Sequence, residues 1–197
     1  SKIRTGKTVR KYFNGAARFK IQSPRDNFLW KENNSCYVSQ KFFKQPMQDK
    51  IINILPDQEN YVIGFADMAD LIQAHYPYRY AVVIGKRLPD AIIDEIENGP
   101  TPVYYELYKS TNDELNLITL KISRFLEQNA IPCVQIKSTV QEEDIPEGFA
   151  STLRMNFSHK MAATRAGLGW IGKTDLLVSE RFGPRIRLAT VLTHYRF

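Results

Sequence analysis

The sequence feature with the clearest chemical content is a glycine-rich segment at residues 157–174. Residues 167–172 match the Gly-x-Gly-x-x-Gly fingerprint of dinucleotide-binding proteins, and residues 167–174 match the Gly-x-x-x-x-Gly-Lys-Thr pattern of P-loops. Both motifs hold phosphates only when the glycines follow a buried strand and open a helix. Here helix-forming residues 160–166 precede the glycines and a strand-like run at 176–178 follows them. This order predicts neither kind of nucleotide site.

The same segment has a second chemical interpretation, as a surface for a large flat ligand. Three glycines allow a ligand to approach the backbone closely. Trp170 and Leu168 would supply apolar contacts, while backbone N–H groups and the hydroxyls of Ser158 and Thr174 would bond amide side arms. The alternative is a glycine-rich turn with Trp170 buried in the core, and spacing alone does not separate the two. His159, beside the glycines, could touch a ligand or serve a structural role.

The elements that would position this segment alternate between strands and helices. The predicted strands are residues 61–66, 80–85, 132–136, 176–178 and 187–193. The predicted helices are residues 47–55, 69–75, 90–97, 104–129 and 157–166. The run at 80–85 is continuously apolar, which is typical of a strand buried on both faces. This alternation predicts an α/β class, with an α+β-like sandwich in which a mixed sheet is flanked by helices.

The charge distribution divides the chain into a basic extension, residues 1–46, of no assignable fold, and a body, residues 47–197. The net charge is +6, and the first 50 residues hold 12 Lys and Arg against 3 Asp and Glu. The remaining 147 residues hold 15 against 18. A basic arm such as residues 7–11 could contact nucleic-acid phosphates, or it could be a solvated lysine-rich surface.

The residue counts exclude several classes of protein. Cys36 and Cys133 cannot hold an iron–sulfur cluster, which needs about four thiolates, and they make a poor disulfide framework. The three histidines lack paired metal-ligand spacing, so no metal site made of protein ligands is predicted. No apolar run reaches the roughly 18 residues of a membrane span, and the N-terminus lacks an apolar signal-peptide core. We therefore expect a soluble, cytoplasmic protein without membrane partners.

The glycine segment resembles epoxyqueuosine reductases and their uncharacterised relatives. The resemblance lies in residues 157–173, 176–178 and 182–193, with earlier landmarks at 64–67, 77–85 and 98–105, so it covers about residues 47–193. It implies an α/β domain that binds cobalamin against a C-terminal ferredoxin-like domain, whose two iron–sulfur clusters reduce the cobalt. It also implies oxidoreductase activity in queuosine biosynthesis, a tRNA modification, and tRNA as a possible partner.

The resemblance also implies site residues. The expected cobalamin-binding residues are Ser158, Lys160, Ala163, Arg165, Gly167, Leu168, Gly169, Trp170, Gly172 and Lys173. The stretch where the family's catalytic aspartate is expected contains Tyr104, Tyr105 and Glu106 instead. Glu106 and Tyr105 are therefore the candidate catalytic residues, since a buried carboxyl group can donate a proton. A glutamate on the helix surface and packed tyrosine rings, including Tyr108, are the alternative.

The chain contains no cluster ligands, so the resemblance implies a ferredoxin-like domain or subunit as the electron donor. The chain could be a piece of a longer protein, a relative that has lost its clusters, or one subunit of a pair. Three functions stay open at this point. They are a cobalamin-dependent oxidoreductase, a corrinoid- or flat-cofactor-binding module without turnover, and a tRNA- or nucleic-acid-binding protein that uses the basic arm.

Overall fold

The computed structural model describes residues 46–69, 76–140, 145–147, 149–152 and 155–197. They belong to one compact unit, Gln45–Phe197. The predicted basic extension lies outside the described residues except for its last residue. The predicted helix at 69–75 lies outside them except for its first residue.

The unit contains five helices and six strands among the described residues. The helices are α1 (Met47–Ile52), α2 (Asp90–Asp94), α3 (Pro102–Gln128), α4 (Phe149–Thr152) and α5 (His159–Arg165). The strands are β1 (Tyr61–Asp67), β2 (Tyr80–Arg87), β3 (Cys133–Ile136), β4 (Gly169–Ile171), β5 (Leu177–Ser179) and β6 (Ile186–Thr193).

The main sheet has four strands in the order β1-β2-β6-β3, and β4 and β5 form a separate hairpin. Val83 of β2 lies between Gly64 of β1 and Thr190 of β6, and Ile136 of β3 faces Thr190 from the other side. These pairings are all antiparallel. The predicted class, a sheet flanked by helices in an α+β-like sandwich, is confirmed, but the described sheet is antiparallel throughout and not mixed as predicted.

Helix α3 covers one face of the sheet. Its buried side chains Leu115, Ile118, Ile122 and Leu126 recur at helical spacing and pack with Val82, Ile84, Ala189 and Val191 of the central strands. The Thr101 hydroxyl accepts from the backbone N–H of Tyr104 over 3.1 Å and caps the helix at its start. This helix starts two residues earlier than predicted, and Pro102 fits there because the first helical residue needs no N–H partner. None of the described helices is long and apolar enough to cross a bilayer.

Helix α5 and the β4–β5 hairpin cover the opposite face. Ala162, Ala163 and Leu177 pack there with Ala81 and Val83, the residues that alternate with those facing α3. The predicted burial of the second strand on both faces is therefore confirmed, because residues 81–85 are all buried.

A glycine allows α5 to pack close to β1. A Cβ added to Gly64 would lie 2.8 Å from Cβ and 2.9 Å from the carbonyl oxygen of Ala166, directly after α5.

The hairpin corrects the sequence prediction of a loop, because residues 169–171 form a strand paired with residues 177–179. The predicted helix at 90–97 also ends early, at Asp94, and none of its residues is buried to hold a further turn.

Candidate ligand-binding cleft

A cleft of about 600 Å³ opens between α5, the hairpin and β6. Its volume lies within the range of about 300–1,000 Å³ that small-molecule sites occupy. The lining residues are Ser138, Met155, Phe157, Ser158, His159, Lys160, Met161, Leu176, Leu177, Pro184, Ile186, Arg187 and Leu188. Apolar walls therefore surround a few polar groups, and no Asp or Glu is among the described residues that line it.

His159 is held in the cleft wall by hydrogen bonds to both ring nitrogens. Nε2 lies 2.9 Å from the Lys137 carbonyl oxygen, so this nitrogen donates. Nδ1 lies 2.8 Å from the Thr190 hydroxyl and accepts from it in the neutral ring. Burial lowers the pKa of His159 to about 4, opposed by the Lys137 carbonyl and assisted by the Arg187 charge. A neutral ring with both nitrogens engaged supports a structural role.

Arg187 brings a positive charge to the cleft. Its Nε and Nη2 atoms donate to Oδ1 of Asn112 over 3.1 and 2.9 Å, and Nη2 also lies 3.3 Å from the Ser138 carbonyl oxygen. The guanidinium carbon lies 4.3 Å from the ring centroid of Tyr108. These contacts fix the orientation of the guanidinium group with neutral partners.

Tyr108 joins this network through its hydroxyl, which lies 2.9 Å from Oγ1 of Thr139. Burial raises the pKa of Tyr108, but the hydrogen bond with Thr139 and the charge of Arg187 outweigh it, so the pKa falls below its usual value. Of the tyrosines at the start of α3, Tyr108 is the one that contacts a cleft residue directly.

Lys160 fastens α5 to the turn of the hairpin. Its ammonium group donates to the backbone carbonyl and to Oδ2 of Asp175, over 2.7 and 2.5 Å. Asp175 has φ +60°, a conformation that Asp tolerates better than most residues. Lys160 therefore positions the hairpin beside the cleft and is paired with Asp175.

The backbone geometry of the hairpin and of the turn after α5 explains why glycine occupies positions in this segment. A Cβ added to Gly169 would lie 2.1 Å from the carbonyl oxygen of Val178 on the paired strand. Gly167 has φ +74° in the turn that ends α5. The N–H groups of Gly167 and Gly172 already donate to the carbonyls of Thr164 and Leu176, so they are not available to ligand amides.

Exposed apolar side chains lie on α5 and the hairpin, where Met161 and Leu176 line the cleft and Trp170 and Ile171 do not. Trp170 is 56% exposed and Leu176 is 53% exposed, with Met161 and Ile171 also exposed. Trp170 is therefore not a core residue, which was one of the two interpretations of the segment. A surface with several large exposed apolar groups beside a cleft is typical of a binding site.

The remaining predicted cofactor residues are divided between surface and core. Ser158 lines the cleft, where its Oγ accepts from the Met161 N–H at the start of α5. Ala163 is buried, and Leu168 packs partly buried against the same core. Arg165 donates to the Asp67 carbonyl oxygen over 3.0 Å, and Lys173 is exposed in the hairpin turn.

The predicted catalytic residues do not line the cleft. Glu106 has a side chain 71% exposed and pairs with Lys109 over 3.5 Å, so it lacks the burial that a proton-donating carboxyl group requires. Tyr105 is 58% exposed, with the Lys109 ammonium 5.3 Å from its ring centroid. These features match the alternative stated above, a glutamate on the helix surface.

Sequence reasoning missed Arg187 and its partner Asn112. The signal in the sequence was a single cation within the otherwise apolar and hydroxyl-bearing run of residues 186–193. Asn112 lies 75 positions away on α3, so no local pattern connects the two residues. Within the described part of the chain, no group of three or more His, Cys, Asp or Glu side chains could hold a metal ion.

At the level of sequence, no family model and no curated protein matches the chain. Among solved structures, a crystal structure of epoxyqueuosine reductase with a tRNA-Tyr epoxyqueuosine-modified tRNA stem loop is similar, at 13% sequence identity and a TM-score of 0.39. The similarity covers 75% of this chain and 44% of that chain. This chain therefore spans less than half of that protein's length.

The residues present fit one wall of a site for a flat macrocycle with amide arms. The apolar cleft and the exposed side chains of Met161, Trp170 and Leu176 offer contact to one face of such a group. The Ser158 hydroxyl has no acceptor among the described residues and can donate to an amide. His159 has no free ring nitrogen for a cobalt ion, because both are hydrogen-bonded.

Proposed function

We propose that this unit is the cofactor-binding part of a corrinoid-dependent oxidoreductase of the epoxyqueuosine-reductase type. One observation carries the proposal. All but two of the residues that line the cleft, Ser138 and Met155, belong to residues 157–193, whose sequence resembles that family. The most specific part of the sequence resemblance thus supplies most of the residues that line the cleft.

In this proposal cobalamin lies against the cleft and the exposed apolar side chains beside it. Met161, Trp170 and Leu176 supply apolar contacts, and the Ser158 hydroxyl bonds an amide arm. When bound and reduced, cobalamin supplies a strongly nucleophilic and reducing cobalt centre. Electrons come from a separate ferredoxin-like domain or subunit, since Cys36 and Cys133 are too few to hold a cluster.

The proposal assigns proton donation to neither Glu106 nor Tyr105 in this conformation, because neither lines the cleft. Tyr108 does not line the cleft either, but its ring contacts the guanidinium group of Arg187, which does, and its pKa is lowered. A phenol with a lowered pKa is a stronger acid and a better proton donor.

The test is a visible-absorbance titration of the chain with cobalamin, followed by gel filtration. We expect a changed cobalt spectrum and co-elution of the corrinoid with the protein. Trp170→Ala should weaken binding about 10-fold, because covering a large apolar side chain contributes roughly 1.5–3 kcal/mol. Its thermal unfolding should stay unchanged, since the side chain is exposed.

Leu117→Ala is the matched control, because Leu117 is 52% exposed on α3, which covers the opposite face of the sheet. It should bind cobalamin like the wild type. Equal affinity in a folded Trp170→Ala variant would remove the pocket assignment. Absence of cobalamin binding by the folded wild-type chain would contradict the proposal for this unit.

A role in tRNA modification is part of the same proposal and is supported by the sequence resemblance and the charge of the first 50 residues. Replacing Lys7, Arg10 and Lys11 by Gln should weaken binding to a tRNA stem loop and lower its dependence on salt concentration. The matched control replaces Lys109, Lys121 and Arg124, which are exposed on α3. Equal losses in both variants, or no binding at all, would contradict a specific role for the basic arm.

A further inference from the structure

The polar side of the cleft has a chemical preference of its own, which is independent of cobalamin. We infer that the cleft holds an oxyanion, a phosphate or carboxylate group carried by an apolar small molecule, and that Arg187 is the residue that binds it.

Arg187 has no counter-charge among the described residues. Its acceptors there are the Asn112 amide oxygen and the Ser138 carbonyl oxygen, both neutral. The contrast with neighbouring arginines is clear, because Arg87 pairs with Asp90, and Arg185 pairs with Asp90 and Asp94. Arg187 is partly buried, and a partly buried guanidinium group is commonly paired with an anion, so the missing partner of Arg187 points to a ligand.

The guanidinium group of Arg187 is also held ready for a ligand. Asn112 occupies its Nε and Nη2 donors, and the ring of Tyr108 lies 4.3 Å from its central carbon. The hydrogen bonds that Arg187 makes to Asn112 and Ser138 use Nε and Nη2 and leave Nη1 unused. A cation whose orientation is fixed by protein groups loses little entropy when it binds an oxyanion.

The charge around the cleft favours an anion. Arg187 and Lys160 line it, His159 is neutral, and no described lining residue is acidic. This contrasts with residues 51–197 as a whole, which hold 15 Lys and Arg against 18 Asp and Glu. Lys160 pairs with Asp175, so Arg187 is the lining cation without an acidic partner among the described residues.

The walls of the cleft select the rest of the ligand. Met155, Phe157, Met161, Leu176 and Ile186 form an apolar lining next to Arg187 and Ser158. Inorganic phosphate alone would leave these side chains uncovered. An apolar or planar group that bears the oxyanion would cover them and should bind more tightly.

The experiment measures dissociation constants by ligand-observed NMR in the absence of cobalamin. The probes are phenyl phosphate, benzoate, inorganic phosphate and phenol, so that phosphate, carboxylate and the ring are tested separately. We expect phenyl phosphate or benzoate to bind more tightly than inorganic phosphate, and phenol to bind most weakly. Arg187→Gln should weaken binding of the preferred oxyanion about 10-fold or more. Arg185→Gln, whose side chain pairs with Asp90 and Asp94 outside the cleft, is the matched control and should bind like the wild type.

A second variant keeps the test decisive if Arg187→Gln fails to fold. Met161→Glu places a carboxylate at an exposed position of the cleft and should weaken oxyanion binding, while Met161→Gln should not. Three results would overturn the inference. Met161→Glu could bind the oxyanion as well as Met161→Gln, or folded Arg187→Gln could bind it as well as the wild type. Phenol could also bind as tightly as phenyl phosphate. If the chain binds cobalamin but no oxyanion, this inference is wrong and the proposed function stands. If it binds an oxyanion but no cobalamin, the proposed function is wrong and this inference stands.

Discussion

Lowering the pH from 7 to 5 is expected to destabilise the fold through His159. This ring is hydrogen-bonded in its neutral form to Lys137 and Thr190, and burial lowers its pKa to about 4 from an ordinary value of 6.5. Between these two values the unfolded chain binds a proton that the folded chain does not bind. The free energy of unfolding therefore falls as the pH falls through this window.

The magnitude follows from the two pKa values of His159. At pH 7 the His159 ring is largely neutral in both the folded and the unfolded chain, so it changes the free energy of unfolding little. At pH 5 the unfolded ring is mostly protonated and the folded ring mostly neutral, which costs about 2 kcal/mol of stability. The Asp67 carboxyl group, whose pKa is held at about 2 by its hydrogen bonds with Arg79, stays ionised in the folded state throughout this range.

The assay is urea unfolding, followed by circular dichroism, at pH 7 and pH 5. His159→Gln keeps an amide that can donate to the Lys137 carbonyl and removes the titrating group. We expect the wild type to lose about 2 kcal/mol more than this variant between the two pH values. His194→Gln is the matched control, because His194 is exposed and does not line the cleft. Equal pH dependence in the wild type and in His159→Gln would refute the reasoning.

Two further substitutions test the backbone conformations around the site and around α3. Gly169→Ala should lower stability by about 2 kcal/mol or more, because the new Cβ would lie 2.1 Å from the Val178 carbonyl oxygen. Ala130→Gly should raise stability by about 0.5 kcal/mol, because Ala130 has φ +57° directly after α3, where glycine carries no steric cost. Thermal unfolding measures both changes. An unchanged Gly169→Ala melting temperature would contradict the hairpin register, and a destabilised Ala130→Gly would contradict the end of α3.

The elements that long apolar patterns define were predictable from the sequence. The run at 80–85 is buried on both sides because α3 and α5 cover opposite faces of the sheet. The stripe of α3 packs as its helical spacing predicts. Strand β4 was not predictable, because Gly169 has low strand propensity and its conformation depends on pairing with β5. Residues 169–171 are too few to show a period of their own.

The candidate site was predictable in part. Residues 157–161 of the glycine segment line the cleft, and Ser158 and Lys160 are the only two of the predicted cofactor residues among its described lining residues. The partners of its residues were beyond local reasoning, since Lys160 bonds Asp175 and Arg187 bonds Asn112 across the fold. Cobalamin binding itself stays a prediction.

The methionines offer the most direct test that the cleft is the ligand site. The chain has four. Met155 and Met161 line the cleft, whereas Met68 is buried in the core and Met47 packs against the core on the α3 side. We would label the methionine methyl groups with ¹³C and titrate the protein with cobalamin. The account predicts that the Met155 and Met161 methyl resonances shift while those of Met47 and Met68 stay in place. Binding that leaves Met155 and Met161 unchanged, or that shifts Met47 instead, would contradict it.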